Sequence, residues 1–164
     1  MTKFISFDGD EYPAFQAEGN AAQFVMPFAE QLLKGKGYDV GCGKKEWALP
    51  WAIPIDPNID PSQDGMNLPL EPQVDFIFSS HCLEHLPNYV AALEHWSNVI
   101  KLDGKMLLYL PDYSQKYWRP WNNKKHIHVL SPQVIIDCLS HCGWTKVLYG
   151  GVDLNNSFTI FATR

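Results

Sequence analysis

Four clusters of residues in this chain have the types and spacing to do chemistry. Gly41-Cys42-Gly43 closes the short β-prone run Tyr38 to Val40, and glycines at a strand end let a backbone approach a bound molecule closely. A plain tight turn uses the same glycines. Asp56 ends the next apolar run, Ala52 to Ile55, 17 residues after Asp39. There a carboxylate can accept hydrogen bonds from two adjacent hydroxyls such as those of a ribose, while Asp56-Pro57-Asn58 is equally suited to a simple turn. The third cluster runs from Asp64-Gly65-Met66 to Leu68-Pro69, and through Ser79-Ser80-His81 to Leu83-Glu84-His85-Leu86. The fourth is the aromatic run Tyr113, Tyr117, Trp118 and Trp121, with Arg119, Lys124 and Lys125 interleaved and His126 and His128 behind it. Rings stack on sugars or flat molecules and cations hold acidic groups, although the same rings suit a self-packed cap. His81, His126 and His128 are the natural proton acceptors near neutral pH, and each also reads as a packed surface imidazole.

The elements that must position these residues alternate. Asn20 can cap a helix carrying Ala21, Phe24, Val25, Phe28, Leu32 and Leu33 at helical spacing, with Pro27 marking a kink or a late start and Gly35 and Gly37 a stop. Strands are predicted over residues 38–40, 52–55, 75–80 and 105–110, with a helix from Pro87 to Lys101 before the last of these. A helix from Ser131-Pro132 to Cys142 leads to two closing strands, 145–149 and 157–163. This order predicts one α/β domain over residues 1–164, with 1–35 a cofactor-covering helical region and 36–164 a Rossmann-like core. Its sheet is mostly parallel, with an antiparallel C-terminal strand and reduced helices after the first two core strands. Ligands in such sheets sit outside the carboxyl ends of the strands, and the chemical residues all follow strands. The segment 113–130 has no clear period and is too long for a mere connection, the mark of a lid or binding loop.

Composition narrows the function classes. Hydrophobic residues make up 46% and charged residues 19% of the 164, which excludes a disordered or fibrous chain. A net charge of −5 disfavours a large nucleic acid as partner. No apolar run reaches membrane-spanning length, and MTKFISFDGDEY places acids where a secretory signal needs a basic and then an apolar stretch. A cytoplasmic location and no membrane partner are expected. Cys42, Cys82, Cys138 and Cys142 lack the paired spacing of a zinc ribbon or secreted framework and read as reduced thiols. Oligomeric state is not legible.

Taken together, strand-Gly-x-Gly, strand-Asp, Asp64-x-x-x-Leu68-Pro69, a strand leading to Leu83-Glu84-His85-Leu86, and Leu102-x-Gly104-Lys105 before an apolar strand resemble the class I S-adenosylmethionine-dependent methyltransferases over residues 36–163. The resemblance implies S-adenosylmethionine as cofactor. It places Gly41, Cys42 and Gly43 under the methionine part, Asp56 and Pro57 at the ribose, Asp64, Gly65 and Met66 at the adenine, and Ser79, Ser80 and His81 near the sulfonium. It implies methyl transfer to a small polar acceptor, such as a hydroxyl of a sugar or metabolite. Tyr113, Tyr117, Trp118, Arg119 and Trp121 are then expected to bind the acceptor, and His81, His126 or His128 to take its proton. His81-x-x-Glu84-His85 also echoes the Glu-x-x-Glu-His pattern of metal-dependent methyltransferases, completed by His126 or His128. Histidine stands where their first glutamate would, so no metal is expected. Lys45 occupies the position of the usual third glycine, and only eight residues carry the chain from Asp56 to Asp64. These departures keep open a catalytically silent cofactor-binding module. A dehydrogenase-type domain fits less well, because the final glycine of its fingerprint is missing.

Overall fold

The computed structural model describes residues 3–164. A hairpin of β1 (Phe4–Phe7) and β2 (Asp10–Pro13) opens the chain. The turn residues Asp8 and Gly9 both have positive φ, 49° and 83°, the conformation an Asp-Gly hairpin turn requires. Helix α1 (Ala14–Glu18) and α2 (Met26–Leu32) follow, joined by the 3-10 turn Ala21–Phe24. The helix expected from residue 20 thus starts late, at Met26, rather than kinking at Pro27. Pro27 sits in the first turn of α2, where a missing N–H costs nothing, and the chain cannot be helical straight through it.

The main sheet is built from β3 (Gly37–Val40), β4 (Ile53–Ile55), β5 (Val74–Ser80), β6 (Ile100–Pro111), β7 (Lys146–Val152) and β8 (Ser157–Thr163), in the order β4-β3-β5-β6-β8-β7. The first four run parallel and β8 is antiparallel to both its neighbours. Helices α3 (Tyr89–Val99) and α4 (Pro132–His141) cover one face. The α3 helix starts two residues after Pro87, because the Asn88 side chain accepts from the Ala91 N–H at 3.0 Å and caps it there.

Strand alternation sends side chains to opposite faces, and here it feeds two cores. Ile77, Met106, Leu108, Leu110, Phe158 and Ile160 pack under α3 and α4 with fully buried Trp96. Phe76, Phe78, Leu107 and Tyr109 face the other way, against Ala21, Ala22, Val25, Ala29 and Leu33. The N-terminal region is thus the second layer of an α/β Rossmann-like fold. After β3 there is only the 3-10 turn Lys45–Trp47, and after β4 no helix before β5. Leaving out those helices keeps the carboxyl edge of β3 and β4 open to solvent.

Candidate functional site

An open cleft of about 1370 Å³ lies along that edge. Its floor is the glycine turn. Gly41 has φ 80° and Gly43 φ 74°, values that favour glycine. A Cβ on Gly41 would also stand 2.4 Å from the Cys82 sulfur. The Gly41 N–H donates to the Ile55 carbonyl at 2.8 Å and the Gly43 N–H to Asp56 Oδ2 at 2.7 Å, so the turn is tied to the end of β4. Asp56 Oδ1 accepts from the Asn58 N–H, and its own N–H donates to Gln63 Oε1. Each carboxylate oxygen keeps a lone pair free for a ligand in the cleft. Asp64 and Gly65 complete this side. Asp64 Oδ1 takes the Met66 N–H at 2.8 Å, and the Gly65 carbonyl is held by Trp96 Nε1 at 2.7 Å.

Beneath the glycine turn, Asp39 is buried, with Oδ2 accepting from the Leu49 N–H at 2.8 Å and Oδ1 without a partner. Burial pushes its carboxyl up to about 7, against the pull of the Leu49 hydrogen bond and with help from the Asp56 charge.

The opposite wall is imidazole and aromatic. His81 leaves β5 with φ 49°, its N–H donating to the Tyr109 carbonyl and its ring Nε2 lying 2.9 Å from Ser157 Oγ. His85 Nδ1 lies 2.7 Å from the Lys125 carbonyl. His126 stacks on Trp118 at 5.0 Å and 12°, and meets the His85 ring edge-on at 4.6 Å. The three rings converge on Glu84. Its side chain is fully buried, and neither carboxylate oxygen has a hydrogen-bond partner among the described residues. Burial raises the Glu84 carboxyl to about 8. Burial, with the neighbouring imidazoles, lowers His81 and His126 to about 3, and burial also lowers His85. These imidazoles are neutral at neutral pH.

Of the residues singled out from sequence, Gly41, Gly43, Asp56, Pro57, Asp64, Gly65, His81, Tyr117, Trp118 and His126 line the cleft. Others do not. Cys42 is buried beneath the turn, with burial pushing its thiol up to about 12. Ser79 and Ser80 are buried in β5, where Ser79 Oγ donates to the Val40 carbonyl, because the pairing of β5 with β3 and β6 extends to the end of the strand. The Met66 side chain packs against the core, and its backbone, the part expected at the adenine, donates its N–H to Asp64 Oδ1.

His128 is turned out of the cleft. Its Nε2 is 2.8 Å from the Leu86 carbonyl and its ring packs on Tyr89, while the Ile127 and His128 N–H groups donate to the Glu84 carbonyl. Tyr113 and Trp121 are more than half exposed. Arg119 lies over the Tyr113 ring at 4.2 Å and donates Nε to its carbonyl, so these three make a surface cap rather than a pocket wall.

The N-terminal contribution was missed in sequence. Residues 16–19 line the cleft, and buried Gln16 bridges the Asn155 carbonyl and Gln115. Asp8-Gly9 between two β-prone runs was the available signal for the hairpin that places them.

A glycine turn tied to a carboxylate at the open edge of a Rossmann-like sheet defines a cofactor-binding α/β enzyme. The sequence matches the methyltransferase domain family over residues 15–149. No curated protein is similar to the chain at a significant level. Among solved structures, a possible histamine N-methyltransferase from Thermotoga maritima superimposes with a TM-score of 0.69 at 17% identity, over 92% of this chain and 96% of that one. An S-adenosylmethionine-dependent methyltransferase from Archaeoglobus fulgidus gives 0.65 at 14%, over 92% and 99%. The N-methyltransferase NodS from Bradyrhizobium japonicum, in complex with S-adenosyl-L-homocysteine, gives 0.63 at 12%, over 92% and 87%. The chain belongs to the methyltransferase domain family, as a class I enzyme that uses S-adenosylmethionine. Among the described residues no helix is long and apolar enough to cross a membrane.

Proposed function

We propose that the protein methylates a small polar acceptor at a hydroxyl of a sugar or metabolite, in the cytoplasm and as one domain. The observation that supports this is the two-sided cleft. One end offers backbone and carboxylates, and the other offers the Tyr117 and Trp118 rings with His81, His85 and His126. When bound, the cofactor supplies a sulfonium methyl group to be displaced in line.

Gly41 and Gly43 leave the floor open to the methionine part, and Asp56 takes the ribose hydroxyls with its free lone pairs. Asp64, with one carboxylate oxygen uncommitted, faces the adenine amine. Trp118, held in place by its stack on His126, presents a flat face for the acceptor. Alignment of the two reactants supplies most of the acceleration. His81 and His126, held near 3, are weak bases, so positioning outweighs proton abstraction by either ring.

The experiment is transfer of radiolabelled methyl from S-adenosylmethionine to a panel of sugars, hydroxylated metabolites and amines. Labelling confined to hydroxyl compounds supports the reading, and labelling confined to amines overturns it. No labelling by a sample that binds S-adenosylhomocysteine turns the reading to a silent module.

A further inference from the structure

We propose that Glu84, His85 and His126 form a binding site for a divalent transition-metal ion of the zinc type, on the acceptor wall of the cleft. Their ligand atoms all lie within 4.8 Å of one another. His85 Nε2 is 3.9 Å and His126 Nε2 4.0 Å from Glu84 Oε1, and His81 Nδ1 is 3.7 Å from the same oxygen. These distances are too long for hydrogen bonds. They are close to the spacing of about 3.4 Å between ligands of a tetrahedral centre with bonds of about 2.0–2.1 Å. Small side-chain rotations close the gap.

The Lys125 carbonyl can only accept, so His85 Nδ1 must be its donor. The neutral ring then turns a lone pair on Nε2 toward Glu84. Ser157 Oγ lies 3.4 Å from the Asn155 carbonyl and can give it its proton, which leaves the hydroxyl to accept from His81 Nε2 at 2.9 Å. His81 Nδ1 then also turns a lone pair toward Glu84. These ring lone pairs face a fully buried carboxyl group whose oxygens have no hydrogen-bond partner; a single carboxyl proton can serve only one ring, whereas a shared cation serves all of them at once. The Lys125 carbonyl behind His85 and the Ser157 hydroxyl behind His81 are the kind of support that metal-bound histidines use to fix tautomer and orientation; His126 is held instead by its stack on Trp118. A set of imidazole nitrogens and one carboxylate oxygen suits zinc, iron or cobalt rather than magnesium or calcium. Histidine at 81 in place of a glutamate changes the kind of donor without removing one.

His81, His85 and His126 all border the cleft, so the ion's remaining positions face the bound acceptor. Resting on the methyltransferase reading, this directs the enzyme toward acceptors that present an oxygen ligand beside the methylated atom.

The test uses tag-free protein, freed of metal with a chelator, then titrated with Zn2+ and separately with Co2+, and in parallel with S-adenosylhomocysteine. The expected result is one zinc per chain, retained through dialysis, and visible ligand-field absorption from the cobalt form. Glu84→Gln and His126→Asn should each weaken zinc binding by more than about 100-fold, beyond the effect of losing an outer partner. His141→Ala, on the far end of α4, should bind zinc as the parent does. Two substitutions guard against misfolding, and each sample is checked by circular dichroism. Protein that binds S-adenosylhomocysteine but not zinc overturns the metal site alone. Zinc retained equally by folded Glu84→Gln and His126→Asn also overturns it. Zinc binding without S-adenosylhomocysteine binding overturns the cofactor assignment and leaves the metal site standing.

Discussion

The two walls of the cleft solve their polar groups in opposite ways. On the glycine side, the Asp56 and Asp64 carboxylates already hold backbone N–H groups: Asp56 accepts from Gly43 and Asn58, and Asp64 from Met66. On the histidine side, Glu84 is buried with neither oxygen satisfied, and three ring nitrogens stop 3.7–4.0 Å short of it. A satisfied wall is preorganised and holds one fixed kind of ligand with little rearrangement. An unsatisfied wall keeps its hydrogen-bonding capacity for whatever arrives, and leaving it empty costs stability. The difference separates a part built for a fixed cofactor from a part built for a variable acceptor.

The sharpest break in that comparison is Gly41→Ala. The new Cβ meets Cys82 at 2.4 Å in a backbone at φ 80°, which should destabilise the protein by roughly 2–5 kcal/mol in urea unfolding and remove cofactor binding. Gly43→Ala shares the strained φ but has 3.3 Å to the nearest Trp47 atom, so a cost of only about 1 kcal/mol is expected.

Trp118→Ala should reduce turnover of the true acceptor by at least about 10-fold and leave S-adenosylhomocysteine affinity within about 2-fold. An equal loss of both would merge the two walls into one functional unit.

Titration sharpens the comparison further. Asp39 has its folded carboxyl raised to about 7 by burial, so its protonated form is favoured in the folded state. Its contribution to stability is present below the ordinary carboxylate range and is lost as pH rises through about 7. Asp39→Asn should flatten the stability profile across that window, and an unchanged slope would show that Asp39 is ionised in the folded protein. The smallest effect is expected from Arg119→Ala, on the exposed cap. Stability should stay within about 0.5 kcal/mol and acceptor turnover within about 2-fold.

The same contrast explains what could be read in advance. The unbroken apolar runs Phe76-Ile77-Phe78 and residues 106–110 announce strands buried on both faces, and Gly41 and Asp56 follow their strands by local rule. The hairpin of residues 4–13 was passed over because its runs are only four residues long. The histidine wall depends on contacts between residues some 40 apart, such as His85 with Lys125, which no local pattern reports. His126 and His128 look alike in sequence, yet one faces Glu84 and the other the Leu86 carbonyl. That choice is made by where β5 delivers the turn at 83–86.

Calorimetric titration of the parent protein and of Asp56→Ala with S-adenosyl-L-homocysteine tests the cofactor end of the cleft. Saturable binding at a single site is predicted for the parent. Removal of a charged acceptor should weaken it by about 10- to 100-fold, with the folded state confirmed by circular dichroism. A folded parent that shows no saturable binding, or an Asp56→Ala protein with unchanged affinity, would contradict the account.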